Sequence, residues 1–313
     1  MLQSFLVVCK ISSLRPLTDE SQTLRIYMLI ITADDFGFSP SRNEAILAAA
    51  YRGRLSATSV LVNMPYAEEA CQQVQQHARE LGIGLHFNLT SGACVAPADS
   101  IPLLVDNLGM FCNNFIKLWR FAAMPEFREQ IAIEFNAQHE KMLKIGRMFN
   151  LRIDHLDSHQ HIHAIPAIRE IIEPTAAKQK VLLRVPRELL GNELSLVGML
   201  KRAILNHCIK GVKSRVSYIG VMYSGSIGQQ QWTKIIMRIS KDKSQIYEVN
   251  VHPGMYMGHE SDGEAVLCSQ ADRNFHRSKW RIQEFNALLD TEFADTLRKE
   301  HLFPLAKFSD VKD

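Results

Sequence analysis

The stretch Ile153 to His163 reads I-D-H-L-D-S-H-Q-H-I-H, four histidines (His155, His159, His161, His163) and two aspartates (Asp154, Asp157) within eleven residues. From His155 onward His155, Asp157, His159, His161 and His163 occupy alternate positions. In an extended chain successive side chains point to opposite faces, so this spacing gathers the polar groups on one side. Imidazole with carboxylate suits a borderline divalent cation, which makes the tract a metal-site candidate. A histidine-rich solvent loop is the plainer alternative. It is disfavoured because an apolar run precedes the tract and aspartate accompanies the histidines.

Four further places carry chemistry. Asp34 and Asp35 adjoin in T-A-D-D-F-G at 32–37. Their side chains diverge, so one can bind a metal while the other faces substrate or water. Two carboxylates this close perturb each other unless a cation compensates, although Asp-Asp-Phe-Gly is also good turn chemistry. His86 stands in G-L-H-F-N-L-T at 84–90 among apolar neighbours. With Asp35 and one or two histidines from 155–163 it would complete three protein ligands and leave positions for water, the plan of a catalytic metal site. Arg184 and Arg187 lie in R-V-P-R-E at 184–188. An arginine beside a catalytic carboxylate orients it and holds it ionised; an ordinary surface ion pair is the competing role. His252, in V-H-P-G at 251–254, could protonate a leaving group or be purely structural.

The elements that must position these residues alternate regularly. Hydrophobic patterning predicts strands over 29–33, 57–62, 83–89, 151–156, 181–185, 216–222 and 247–251, with a last one over 303–308. Helical spacing covers 43–52, 66–81, 126–149, 166–178, 194–209, 229–239 and 273–297. Strand and helix in alternation imply a parallel sheet with helices outside it. Asp34, Asp35, His86, the histidine tract, Arg184 and His252 all fall at C-terminal strand ends, the face that carries chemistry in a β/α barrel. The expected fold class is therefore α/β: a deformed, TIM-like (β/α) barrel, irregular or incomplete. A doubly wound open sheet competes. T-A-D-D-F-G stands where a dinucleotide enzyme would have G-x-G-x-x-G, which argues against nucleotide-cofactor chemistry.

Composition narrows the class further. At 313 residues, with 36 Lys+Arg against 33 Asp+Glu, the net charge of +3 is too balanced to favour nucleic acid or an anionic membrane. Six cysteines are scattered without paired spacing, which favours free thiols and a cytoplasmic location. No apolar run is long enough to span a membrane. Residues 1–27 read as an extension outside the domain. Ser4 to Ile11 is apolar but lacks a basic leader, and Met28 sits directly before the first strand, a candidate natural start. Residues 28–313 are expected to form one domain with a helical insertion near 187–235. That insertion and the loop 92–125 are the expected groove walls. Phe111, Trp119, Phe121 and Tyr223 could stack on a ring there, though core is the better expectation for them.

Taken together, T-A-D-D-F-G at 32–37, G-L-H-F-N-L-T at 84–90, H-L-D-S-H-Q-H-I-H at 155–163, R-V-P-R-E at 184–188 and V-H-P-G at 251–254 resemble the YdjC family. This group of carbohydrate deacetylases includes chitooligosaccharide deacetylases and the hopanoid-associated HpnK-like proteins. The resemblance runs from about Met28 to Phe308 in the same order. It implies a deformed barrel related to the polysaccharide deacetylases and a divalent metal, magnesium by resemblance with zinc as the other option. It implies removal of acetyl groups from N-acetylated amino sugars, and a homodimer. Carried over by position, Asp34 resembles the catalytic base, Asp35, His86 and His159 the metal ligands, and His252 the general acid. Spacing alone does not choose between His159, His161 and His163. Asp157, His155, His161, His163 and Arg187 are then expected behind the ligands or along the substrate groove. Competing activities are another barrel metal hydrolase, acting on a phosphoester or a non-sugar amide, and a non-catalytic metal- or sugar-binding module.

Overall fold

The computed structural model describes residues 28–188, 196–223, 227–242, 245–255 and 278–311. The expected N-terminal extension, parts of the expected insertion and the start of the helix expected over 273–297 lie outside them.

Seven strands form one sheet: β1 (Met28–Phe36), β2 (Ala57–Val60), β3 (Gly82–Phe87), β4 (Ile153–Ser158), β5 (Leu182–Leu183), β6 (Val216–Ile219) and β7 (Ile246–Val251). Their order is β5-β4-β3-β2-β1-β7-β6, and every pairing is parallel. Consecutive strands lie side by side, as in a barrel. The reversal of order that marks a doubly wound sheet is missing, so that alternative falls. β7 pairs directly with β1 over six residue pairs, from Met28 with Ile246 to Ala33 with Val251. Among the described residues the connection between β5 and β6 is a single parallel bridge, Glu188 to Tyr218. The result is a deformed TIM-like half-barrel.

Helices α1 (Pro40–Tyr51), α2 (Ala67–His77), α3 (Phe115–Phe121), α4 (Pro125–Phe149), α5 (Pro166–Gln179), α6 (Leu196–Cys208), α7 (Gln229–Ile239), α8 (Trp280–Leu289) and α9 (Thr291–Lys299) follow the strands. Pro40, Pro125 and Pro166 open α1, α4 and α5 at the position where a missing N–H costs nothing. Along β1 the side chains alternate. Leu29, Ile31 and Ala33 join the large outer core, while Ile30 turns inward to pack with Ala57, Ala306 and Phe308 at the barrel floor. Thr32 and Asp34 are one and two steps above Ile30 on that inner face.

Three expectations change. Residues 303–308 are not a strand. Ala306 donates one hydrogen bond to the Leu29 carbonyl, and Phe308 begins a single 3₁₀ turn at the floor. Pro304, having no N–H, is ill suited to a ladder. The expected final helix breaks at Asp290, whose side chain accepts from Glu292 N at 2.8 Å and so starts α9. The loop 92–125 contains α3, capped by Asn114 accepting from Lys117 N.

Candidate active site

Two irregularities bring the candidate ligands together. The β1–β2 register shifts between Ala33 and Phe36, and within that bulge Asp35 adopts φ 69°. A regular strand would send adjacent side chains to opposite faces. Here both neighbouring carboxylates reach the C-terminal mouth of the barrel. Beyond β4 the chain enters a tight turn in which Gln160 (φ 52°) and His161 (φ 55°) are left-handed. The alternation expected through His163 therefore stops at His159.

Asp35, His86 and His159 are buried, and each offers a ligand atom within 4.8 Å of the others. His159 Nδ1 lies 3.0 Å and His86 Nε2 3.8 Å from Asp35 Oδ1. The other carboxylate oxygen, Oδ2, accepts from Arg281 Nη2 at 2.7 Å and has Arg42 Nη1 3.8 Å away. Oδ1 is buried and takes no well-aligned hydrogen bond. A cation there would meet one carboxylate oxygen and two imidazoles, so the donor set fits a divalent metal. Burial alone would raise the Asp35 pKa, but His159, Arg281 and Arg42 hold it well below the ordinary carboxylate value. His86 is fixed from behind, where Nδ1 donates to Asp157 Oδ1 at 2.7 Å and leaves Nε2 directed at Asp34 and Asp35. Burial opposes its charge, yet Asp157 and Asp34 push its pKa up to about 8.

A second cluster, Asp34, His86 and Asp157, shares the same imidazole. Arg184 fills it. Its Nη1 and Nη2 donate to the two Asp34 oxygens at 2.9 and 3.0 Å, its Nη1 lies 2.6 Å from Asp157 Oδ2, and its Nε donates to Glu248 Oε1 at 2.8 Å. Burial disfavours the guanidinium charge, but Asp157, Asp34 and Glu248 lift its pKa well above normal. Burial likewise works against Asp157, and there Arg184 and His86 win, holding it low. At Glu248 burial wins over Arg184 and the pKa rises. The guanidinium therefore holds Asp157 ionised but does not overcome the burial of Glu248.

The remaining candidates scatter by depth. His155 lies in the barrel below Asp157, its Nε2 3.0 Å from Ser59 Oγ and its ring stacked 4.1 Å from Phe308, far from a groove-lining position. Gly84 makes room for it, since a Cβ there would collide with the His155 ring. His163 is buried, with its Nδ1 2.5 Å from Ser158 Oγ, and burial lowers its pKa to about 3. His161 meets Tyr218 edge-on, its Nε2 3.4 Å from the phenol oxygen, and burial holds it well below a normal imidazole. His252 follows β7, close enough to Asp34 and Asp35 for both to favour its charge; burial prevails and holds it at about 4. Arg187 is exposed and donates to the Ile209 and Val212 carbonyls after α6, away from this site. Phe111 and Tyr223 are core, whereas Trp119 is 45% exposed.

Sequence reading missed Ser59, Glu248, Arg281 and Glu284. Glu248 had a signal: a carboxylate inside the apolar run of β7, two residues from Asn250 and four from His252, marks the inward face. Arg281 and Glu284, on α8, had none.

The YdjC-like protein family matches residues 28–299 of the chain. A chitooligosaccharide deacetylase of Proteus mirabilis is 31% identical over 230 residues, covering 72% of this chain and 81% of its own. A carbohydrate deacetylase of Clostridium beijerinckii is 27% identical over 285 residues, 90% of this chain and 99% of its own. In three dimensions the chain is similar to a crystal structure from Enterococcus faecalis named provisionally for cellobiose-phosphate cleavage. The TM-score is 0.66 at 22% identity, covering 91% of this chain and 98% of that one, a likeness of fold.

Proposed function

The chain belongs to the YdjC-like family, and from that footing we propose that it is a metal-dependent carbohydrate deacetylase. The reaction is hydrolysis of the acetamide of an N-acetylated amino sugar to acetate and a free amine. The observation that carries this reading is the buried Asp35–His86–His159 triad beside an Asp34 clamped by Arg184.

Asp35, His86 and His159 would hold the cation, which supplies Lewis-acid polarisation of the acetamide carbonyl and of the attacking water. Two imidazoles and one carboxylate suit zinc or a neighbouring transition metal; magnesium, implied by resemblance, prefers oxygen donors throughout. Asp34 is assigned as the base that accepts the proton of the attacking water. Arg184 fixes its orientation by bonding both oxygens, and each oxygen retains a lone pair for that proton. His252 is assigned as donor to the leaving nitrogen. Held at about 4, it is neutral near pH 7, so the proton it passes to the amine would be the one the attacking water first gives to Asp34. Among the described cysteines, Cys71, Cys94, Cys112 and Cys208 are free thiols, in keeping with a cytoplasmic enzyme. No described helix is long and apolar enough to cross a membrane.

Acetate release is the test, measured over N-acetylglucosamine and its dimers and longer oligomers, with and without added Zn²⁺ and Mg²⁺. Metal-dependent acetate from any of these supports the reading. Phosphate release from phosphoesters instead, or sugar binding without turnover, would replace it.

A further inference from the structure

One turn of α8 touches both halves of the site. Arg281 and Glu284 are three residues apart and share a helix face, and both are buried, 2% and 0% exposed. Arg281 Nη2 donates to Asp35 Oδ2 at 2.7 Å. Glu284 Oε2 accepts from the His252 backbone N–H at 2.6 Å, while its Oε1 accepts from Ile227 N at 3.0 Å. The Arg281 carbonyl accepts from Gly254 N, tying the same turn to the chain just beyond His252. Neither side chain reaches the Asp34–Arg184 cluster by any of these bonds.

We infer that this turn of α8 is a positioning brace: Arg281 sets how Asp35 presents itself to a metal, and Glu284 sets where His252 stands. The inference rests on the metal-site reading above. Arg281 occupies the oxygen of Asp35 that faces away from the imidazoles, so Oδ1 alone is presented to His86 and His159. Freed of that bond, the carboxylate can rotate and offer both oxygens to one ion. Glu284 joins two backbone N–H groups from different elements, the end of β7 and the approach to α7. The two N–H groups are held by different oxygens, so a glutamine in the same pose would set its NH2 against one of them.

Charge and positioning predict opposite results for Arg281, which makes the test sharp. Removing a cation near a metal would by itself tighten metal binding, whereas loss of positioning weakens it, typically about 10–100-fold for groups behind a ligand. Zn²⁺ and Co²⁺ affinities would be measured by competition with a chromophoric chelator for the wild type, Arg281→Met, Arg281→Lys, Glu284→Gln and His86→Ala. The visible spectrum of the Co²⁺ form would be recorded with each. The expected result for Arg281→Met is weaker binding and weaker d–d absorption as the coordination number rises, with Arg281→Lys recovering part of both. Glu284→Gln should bind Co²⁺ as the wild type does, with an unchanged spectrum, while kcat for acetate release falls about tenfold or more and KM holds. Equal or tighter binding in Arg281→Met, or full kcat in Glu284→Gln, would overturn the brace. A Glu284→Gln that loses Co²⁺ affinity along with kcat would do so too. If His86→Ala also keeps full affinity, the metal-site reading itself has failed, and the two failures are told apart.

Discussion

Asp34 and Asp35 are chemically identical neighbours in opposite surroundings. Asp34 has both oxygens on one guanidinium, whereas Asp35 has one oxygen on Arg281 and the other facing two imidazoles. Their roles should therefore separate by mutation. Asp34→Asn keeps an acceptor for Arg184 and removes the base. Turnover should fall about 10²–10⁴-fold while bound metal, by elemental analysis, stays unchanged. Normal acetate release from that variant would strip Asp34 of its role. His86 gives a pH prediction. With its pKa raised to about 8, the metal-free imidazole is protonated near pH 7 and must shed that proton to become a ligand. Below pH 8 the apparent metal affinity should fall about tenfold per pH unit, and above it the curve should flatten. Asp35, already held ionised, adds no slope in this window. For folding of the metal-free protein the sign is opposite. The stabilising charge of His86 is fully present below pH 6.5 and is lost as pH rises through about 8. Affinity titrations at half-unit steps from pH 6 to 9 check the first claim.

At the scale of elements, what could be read in the sequence was what obeys a period. The strands and helices from Met28 to Val251, α3 excepted, were legible because burial imposes alternation in one and helical spacing in the other. Asp34, Asp35, His86, Arg184 and His252 were legible as strand-end residues for the same reason. The departures were not legible: the bulge at Asp35 and the α8 turn beside it depend on contacts distant in sequence, and the left-handed pair Gln160–His161 falls on non-glycine residues that carry no turn signal. The seam between β5 and β6 is a further case. Glu188 Oε2 accepts from the Gly220, Val221 and Met222 N–H groups, so the strand that the pattern ran to 222 stops at Ile219. Burial raises the Glu188 pKa to about 7 despite those bonds. A raised carboxyl stabilises the fold fully below its unfolded value of 4.5, and that contribution is lost as pH climbs through 7. Glu188→Gln keeps one oxygen for the three donors and has no charge to bury. Between pH 4.5 and 7 its stability should therefore gain on the wild type by up to about 3 kcal/mol, read from urea unfolding at both pH values. A constant difference across that range would show that the charge on Glu188 costs the seam nothing.

Taken whole, the molecule is a barrel with a weak side, and its polar centre spans the strands. Arg184 follows β5 and binds Asp34 on β1, Asp157 on β4 and Glu248 on β7, joining strands that share no ladder with β5 except β4. The proposed metal would join β1, β3 and the turn after β4 through Asp35, His86 and His159. The two ties differ in kind, and that difference is measurable. A ligand that binds only the folded chain stabilises it by mass action, about 2.7 kcal/mol at a hundredfold excess over Kd. For a chain of this size that corresponds to a Tm lowered by roughly 4 °C when EDTA removes the metal, and restored when Zn²⁺ returns. Arg184→Leu removes a covalent part of the fold and leaves three buried carboxylates without their cation. Breaking a buried ion pair from one side costs about 3–5 kcal/mol, so this variant should unfold at lower urea than the EDTA-treated wild type. That loss should persist in the presence of chelator, because it does not arise from the Asp35 triad. If EDTA leaves the wild-type Tm unmoved while Arg184→Leu behaves as described, the barrel is held by its arginine alone and the triad binds no stabilising ion.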